Sequence, residues 1–184
     1  MQLASFRLGD TERWGRIDGE HAHIAPRDAE TPATLRAFLE TGHDLPDTAN
    51  WERVALAEAE LLAPIPEPRR NIMCLGLNYA DHAAESQGTA PGEAELPTAP
   101  VVFTKATTAV TGPYAEVPVD PRVTRRLDWE VELAFVIGRG GRFIERAQAM
   151  EHVFGYTIVN DLSARERQKH HKQFFLGKSM DASC

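Results

Sequence analysis

At 184 residues the chain has room for one ordinary domain, or for a small domain plus part of a larger one. Its 42% hydrophobic and 26% charged residues are those of a soluble globular protein, and a net charge of -7 without a basic stripe argues against a nucleic-acid partner. Cys74 and Cys184 form neither a metal-binding pair nor a disulfide framework. The N-terminus lacks a signal-peptide pattern, and no apolar run approaches the ~18–20 residues of a membrane helix. The expectation is a cytoplasmic protein with no membrane partner.

In chain order, residues 3–8, 14–17 and 21–24 read as short strands separated by Gly9-Asp10 and Asp18-Gly19, a strong hairpin signal. Residues 34–41 carry helical spacing at Leu35, Phe38 and Leu39, with Gly42 as the stop. Residues 61–65 suggest one more strand. Pro64, Pro66 and Pro68, followed by Arg69-Arg70, make a stiff polar connector, so the boundary falls there: a β-rich module over 1–65 and a second domain over 69–184. Beyond it, 71–77 reads as a buried strand, 79–86 as a helix and 87–100 as a mobile loop. Strands are expected at 101–105, 116–119, 129–137 and 153–159. The clustered Arg122, Arg125 and Arg126 read as a solvated loop. A helix is expected over 163–171, where Ser163 and Glu166 have the capping-box spacing.

The informative stretch is LDWEVELAFVI (127–137), whose apolar second half predicts an interior strand. Alternate residues of a strand share a face, so Glu130 and Glu132 project together, roughly 6.6–6.8 Å apart. Two carboxylates beside a buried stretch need a shared proton or a cation, and a hard divalent ion with oxygen ligands supplies one. The spacing alone leaves a second reading open, the wet face of an edge strand. Asp161 stands where an apolar strand meets a helix start, and an N-cap is its plainest role. Arg165 and Gln168, three apart, share a helical face and carry forked polar heads suited to a carboxylate, although a solvated face explains them equally. His82 and Glu85 are spaced to meet on a helix as an oriented imidazole, or as an incidental surface pair. Lys178 lies in a Gly-Lys-Ser tract without the first glycine of a phosphate loop, and Gly138-Arg139-Gly140-Gly141 is a turn.

Five blocks in order, GLNYADHAAE (76–85), PVVFTK (100–105), LDWEVELAFVIGR (127–139), GYTIVNDLSARERQ (155–168) and GKSMD (177–181), resemble the fumarylacetoacetate hydrolase family. The resemblance runs from about residue 71 to the last. It implies an α+β fold, a mixed β-roll preceded by the small β-rich module, usually paired as a homodimer. It implies Mg²⁺ or Mn²⁺, with Ca²⁺ in some relatives, held by Glu130, Glu132 and Asp161. His82 and Glu85 become a catalytic pair, and Arg165, Gln168 and Lys178 surround the substrate's oxygens, Lys178 also acting in catalysis. The implied activity is metal-dependent hydrolysis of C–C bonds in acylpyruvate-like 2-oxo acids, with isomerisation or decarboxylation of hydroxymuconate-type diacids or oxaloacetate as the alternative. The family domain commonly continues past the Gly-Lys-Ser-x-Asp segment into a Pro-x-Gly-Pro turn and further strands. A domain incomplete at its C-terminus is therefore expected, and an inactive metal-binding fragment is the reading of another class.

Overall fold

The structure, a computed structural model, describes residues 1–184 except Pro91, Gly92, Ala94, Leu96 and Lys172 and the side chains of His82, Glu85 and Ser86. The chain opens with β1 (Gln2–Leu8), β2 (Thr11–Asp18) and β3 (His21–Ile24), followed by α1 (Leu35–Thr41), β4 (Glu52–Ala55) and β5 (Glu60–Leu61). These strands form one antiparallel sheet in the order β4-β3-β2-β1-β5. Its tight turns depend on Gly9 and Gly19 at φ of +58° and +59°, a left-handed conformation that other residues adopt at a cost.

Alternation along the strands gives the sheet two buried faces. Ala4, Phe6, Ala22 and Ile24 pack on one side, and Trp14 packs on the other with Ala25, Leu35 and Phe38 of α1. Trp14 stacks on Phe38 at 4.8 Å, and its indole N–H donates to the Pro32 carbonyl at 2.7 Å, so the ring is buried without an orphaned donor. Gly42 ends α1 as the sequence predicts, while Thr34, expected as the helix's first residue, is its N-cap. The strand expected at 61–65 shortens to β5, because Ser5 Oγ and the Ser5 carbonyl hold the chain at Pro64 and Leu62 in place of a continued ladder.

The second half is built of antiparallel ribbons. β6 (Ile72–Gly76) pairs with β7 (Val101–Lys105), β8 (Leu127–Asp128) with β11 (Ser163–Ala164), and β9 (Val131–Ile137) with β10 (Val153–Asn160). Helices α2 (Ala80–Gln87), α3 (Arg165–His170) and α4 (Phe175–Lys178) complete the order. The segment expected as a strand at 116–119 is irregular and has no ladder partner among the described residues. The strand expected at 129–137 is β9, which starts two residues later at Val131 because Trp129 and Glu130 form the break between β8 and β9.

Nor is that strand interior. Among the described residues β9 pairs only with β10, and Val131, Leu133, Phe135, Ile137, Phe154, Tyr156 and Ile158 stand exposed on the outer face of the ribbon. Met73 and Leu75 of β6 are exposed likewise, against the buried strand expected there. Apolarity alone predicts burial, but burial needs a second layer, and the described residues place none over these faces. The capping box is also replaced. Ser163 lies in β11 and donates to the Asp161 carbonyl at 3.0 Å, while Glu166 accepts from Thr124 Oγ at 2.7 Å and from the Arg125 amide at 3.0 Å.

Candidate active site

The site forms at a corner. The chain leaves the β8–β11 ribbon and enters the β9–β10 ribbon at residues 129–130 on one strand and 161–162 on the other. Both strands turn together, locked by the Asp161 amide donating to the Glu130 carbonyl at 2.8 Å and the Glu130 amide donating to Asn160 Oδ1 at 3.3 Å. Glu130 and Asp161, distant in sequence, are thus adjacent because each occupies the bend of its strand. Glu132 follows on the half-buried face of β9, with Ala134 and Val136, as strand alternation predicts for a residue two after Glu130.

Three cations interleave with these carboxylates. Lys178, at the end of α4 and almost fully buried, reaches Glu130 Oε2 at 2.5 Å and Asp161 Oδ2 at 2.7 Å. Phe103 of β7 covers the same ammonium, 5.1 Å from ring centroid to Nζ. Arg165, the first residue of α3, reaches Glu130 Oε1 at 2.6 Å and Asp128 Oδ2 at 2.7 Å, and donates to Gln168 Oε1 at 3.0 Å. The helical spacing of Arg165 and Gln168 therefore does bring them together.

The third cation, Lys105, was not singled out from the sequence. It is fully buried at the end of β7 and donates to Asp161 Oδ1 at 2.7 Å, to the Leu162 carbonyl at 3.2 Å and to the Lys178 carbonyl. An ammonium has three donors, and all three are used. A lysine closing the apolar run PVVFT was the available signal, since a lysine buried beside a strand requires a partner. Asp161 accordingly is not an N-cap: both its oxygens are bound by lysines.

The electrostatics follow from these contacts. Burial pushes the Glu130 carboxyl up, but Lys178 and Arg165 outweigh it and hold the group below the usual carboxylate range. Asp128 is lowered by its hydrogen bond from Arg165. Glu132 goes the other way: burial raises it and the charges of Glu130 and Asp161 add to the rise, against a hydrogen bond from Tyr79. The Tyr79 hydroxyl also accepts from the Leu133 amide at 3.2 Å, which fixes Tyr79 beside the ribbon; this residue, too, was not marked by the sequence. His82 and Glu85 lie on α2, and their side chains are outside the described residues. A surface groove of about 610 Å³, lined by Asp10, Arg13, Trp14 and Asp28 among others, contains none of the candidate groups.

Glu130, Glu132 and Asp161 carry oxygen donors, the ligand type that a hard divalent cation takes. Among the described residues, however, no three potential ligands converge on one point. Lys178 stands between Glu130 and Asp161.

A buried cluster of opposed carboxylates, lysines and an arginine at the corner of two ribbons is the candidate functional site. Residues 71–184 match the fumarylacetoacetate (FAA) hydrolase C-terminal family, and the chain belongs to it. Among curated proteins it is similar to the oxaloacetate tautomerase YisK of Bacillus subtilis, 52% identical over 130 residues, which cover 71% of this chain and 42% of the relative. It is also similar to the mitochondrial oxaloacetate tautomerase fahd2 of Xenopus laevis, 39% identical over all of this chain and 59% of the relative. The chain thus spans about half the length of these relatives. Among solved structures, the fumarylacetoacetate hydrolase of Exiguobacterium antarcticum superposes with a TM-score of 0.83 at 36% identity, over 100% of this chain and 64% of the other. A 2-hydroxyhepta-2,4-diene-1,7-dioate isomerase of Mycobacterium marinum gives 0.75 at 29% identity, covering 100% and 63%. The α+β fold with a β-rich N-terminal portion is the fold of this family. No helix among the described residues is long and apolar enough to cross a membrane.

Proposed function

We propose that the site moves a proton between the keto and enol forms of a small 2-oxo diacid of the oxaloacetate type. The observation that carries this reading is the pair Lys178 and Arg165, two cations held within ion-pair distance of Glu130 at the corner of the ribbons. Removing a proton next to a ketone leaves negative charge on the ketone oxygen. Fixed positive groups that need no reorganisation stabilise that charge. The planar head of Arg165 suits a substrate carboxylate, with Gln168 setting its rotation. His82, with Glu85 as the partner that the family resemblance implies, is the proposed proton carrier. The resemblance to proteins named oxaloacetate tautomerases and dienedioate isomerases supports proton transfer over hydrolysis.

Glu130, Glu132 and Asp161 are proposed to hold Mg²⁺ or Mn²⁺, Ca²⁺ being a further candidate. Such an ion, when bound, supplies a Lewis acid for the 2-oxo acid's oxygens. A homodimer is the proposed assembly.

The second reading, C–C hydrolysis of an acylpyruvate, draws on the family match and requires the same charge stabilisation for the departing enolate. One panel separates the readings. The 184-residue protein is given enol-oxaloacetate, acylpyruvates and unsaturated hydroxy-diacids with Mg²⁺ or Mn²⁺, and products are followed by absorbance and proton NMR. Ketonisation of enol-oxaloacetate above the spontaneous rate, lost in E130Q and E132Q, is expected. Cleavage products favour hydrolysis. No turnover of any substrate by a folded chain refutes both and leaves a metal-binding fragment.

A further inference from the structure

Resting, for its effect on turnover, on the reading of His82 as proton carrier, we infer that Tyr79 is a positioning residue. Its hydroxyl clamps the start of α2, the helix that carries His82, to the edge of β9. Tyr79 is bound at both ends. Its carbonyl accepts from the Ala83 amide at 3.0 Å, the bond that opens α2. Its hydroxyl, at the far end of a stiff ring, accepts from the Leu133 amide at 3.2 Å and donates to the Glu132 side chain. One residue thus ties the first turn of the helix to two consecutive residues of β9.

The bonds fall where each side needs one. β9 pairs with β10, and among the described residues no strand pairs with its other edge. A backbone amide on an open edge requires an acceptor, and the phenol oxygen supplies it to Leu133. On the helix side Ala83 and Ala84 are buried, which seats α2, but contacts between methyl groups are non-directional. Among the described side-chain hydrogen bonds, only those of Tyr79 join the segment 77–87 to β9, so they fix where along the strand the helix begins. The chain leading into the clamp is strained. β6 ends at Gly76, and Leu77 follows at φ +52°, a left-handed conformation that a side chain adopts at a cost. Such a conformation persists where its surroundings over-determine it. With the clamp closed, His82 stands three residues, less than one helical turn, from an anchored point. With it open, the joint at Leu77 relaxes and the helix start drifts along β9.

Two measurements on the full 184-residue protein test this. In residue-resolved hydrogen exchange, the Leu133 amide of the wild type is expected to be protected well above an unstructured amide, and free exchange there overturns the inference. Y79F deletes the hydroxyl and keeps the ring. It is expected to exchange roughly two- to tenfold faster at Leu133 and across 80–87, the equilibrium share of one hydrogen bond, with β1–β3 and β10 unchanged. Unchanged exchange at those positions overturns the inference, as does acceleration spread equally over β1–β3 and β10, which marks a general loss of stability. In ketonisation of enol-oxaloacetate, Y79F is expected to lose about three- to tenfold in kcat with KM within about twofold, since a displaced proton carrier slows the transfer and leaves substrate binding intact. Unchanged kcat, or a raised KM at full kcat, overturns the positioning role. No turnover by the wild type refutes the reading of function, and the exchange data then decide the clamp by themselves.

Discussion

Replacing Lys105 by Met keeps the length and most of the packing of the side chain but deletes a fully buried ammonium. Asp161 Oδ1 loses its 2.7 Å partner, and the carbonyls of Leu162 and Lys178 lose a donor in the same step. Removing one member of a buried ion pair costs about 3–5 kcal/mol, because the remaining charge stays buried and uncompensated. Lys178 still neutralises Asp161 Oδ2, which places the expectation toward the lower end of that range. For a chain of this size each kcal/mol shifts Tm by roughly 2–4 °C, so K105M is expected to melt about 6–12 °C lower. The assay is thermal and urea unfolding followed by far-ultraviolet circular dichroism, with K105M/D161L as the second arm. The double variant removes both charges, and its loss is expected to be smaller than the sum of the two single losses by about 0.5–3 kcal/mol. A K105M loss under about 1 kcal/mol, or strict additivity, refutes the account of Lys105 as the buried strut of the corner.

Three further outcomes follow from other parts of the molecule. The Glu166 carboxyl is lowered by its hydrogen bonds from Thr124 and the Arg125 amide; a depressed native pKa stabilises the fold above the ordinary carboxylate range and loses that contribution as pH falls through the native value. E166Q is therefore expected to be less stable than wild type near neutrality and to converge with it in acid, and a gap that stays constant with pH refutes the linkage. Burial, with the nearby Asp161 charge, pushes the Cys74 thiol up to about 12. At pH 8 its thiolate population is about a thousandfold below that of an ordinary thiol, so iodoacetamide should alkylate Cys74 in the folded chain far more slowly than in urea, and equal rates would contradict its burial. Finally, Phe135 and Ile158 are 57% and 75% exposed on the outer face of the ribbon. F135E and I158E should each change stability by no more than about 0.5 kcal/mol, whereas a loss of roughly 2 kcal/mol or more would show the face covered in solution.

The local elements were legible in the sequence wherever backbone chemistry decides them. Gly9, Gly19 and Gly42 mark turns and a helix end because few residues tolerate those conformations, and the structure places each where the pattern predicts. Strand alternation likewise put Glu130 and Glu132 on one face, and the ordered motif blocks carried the family. The corner was not legible. The stretch 127–137 hides its break at Trp129-Glu130, since nothing in β-propensity distinguishes one long strand from a short one and a longer one with different partners. Burial misled for the same reason: an apolar face predicts a covering layer, but only tertiary packing supplies one. Lys105 shows the limit most clearly. Its identity is plain in the sequence, yet its role depends on a carboxylate 56 residues away and a carbonyl 73 residues away. What the sequence by itself determined is the set of charged groups and the local geometry of the elements that bear them. The tertiary structure alone decided which cation faces which carboxylate, because ion pairing acts over ångströms in space and is indifferent to distance along the chain.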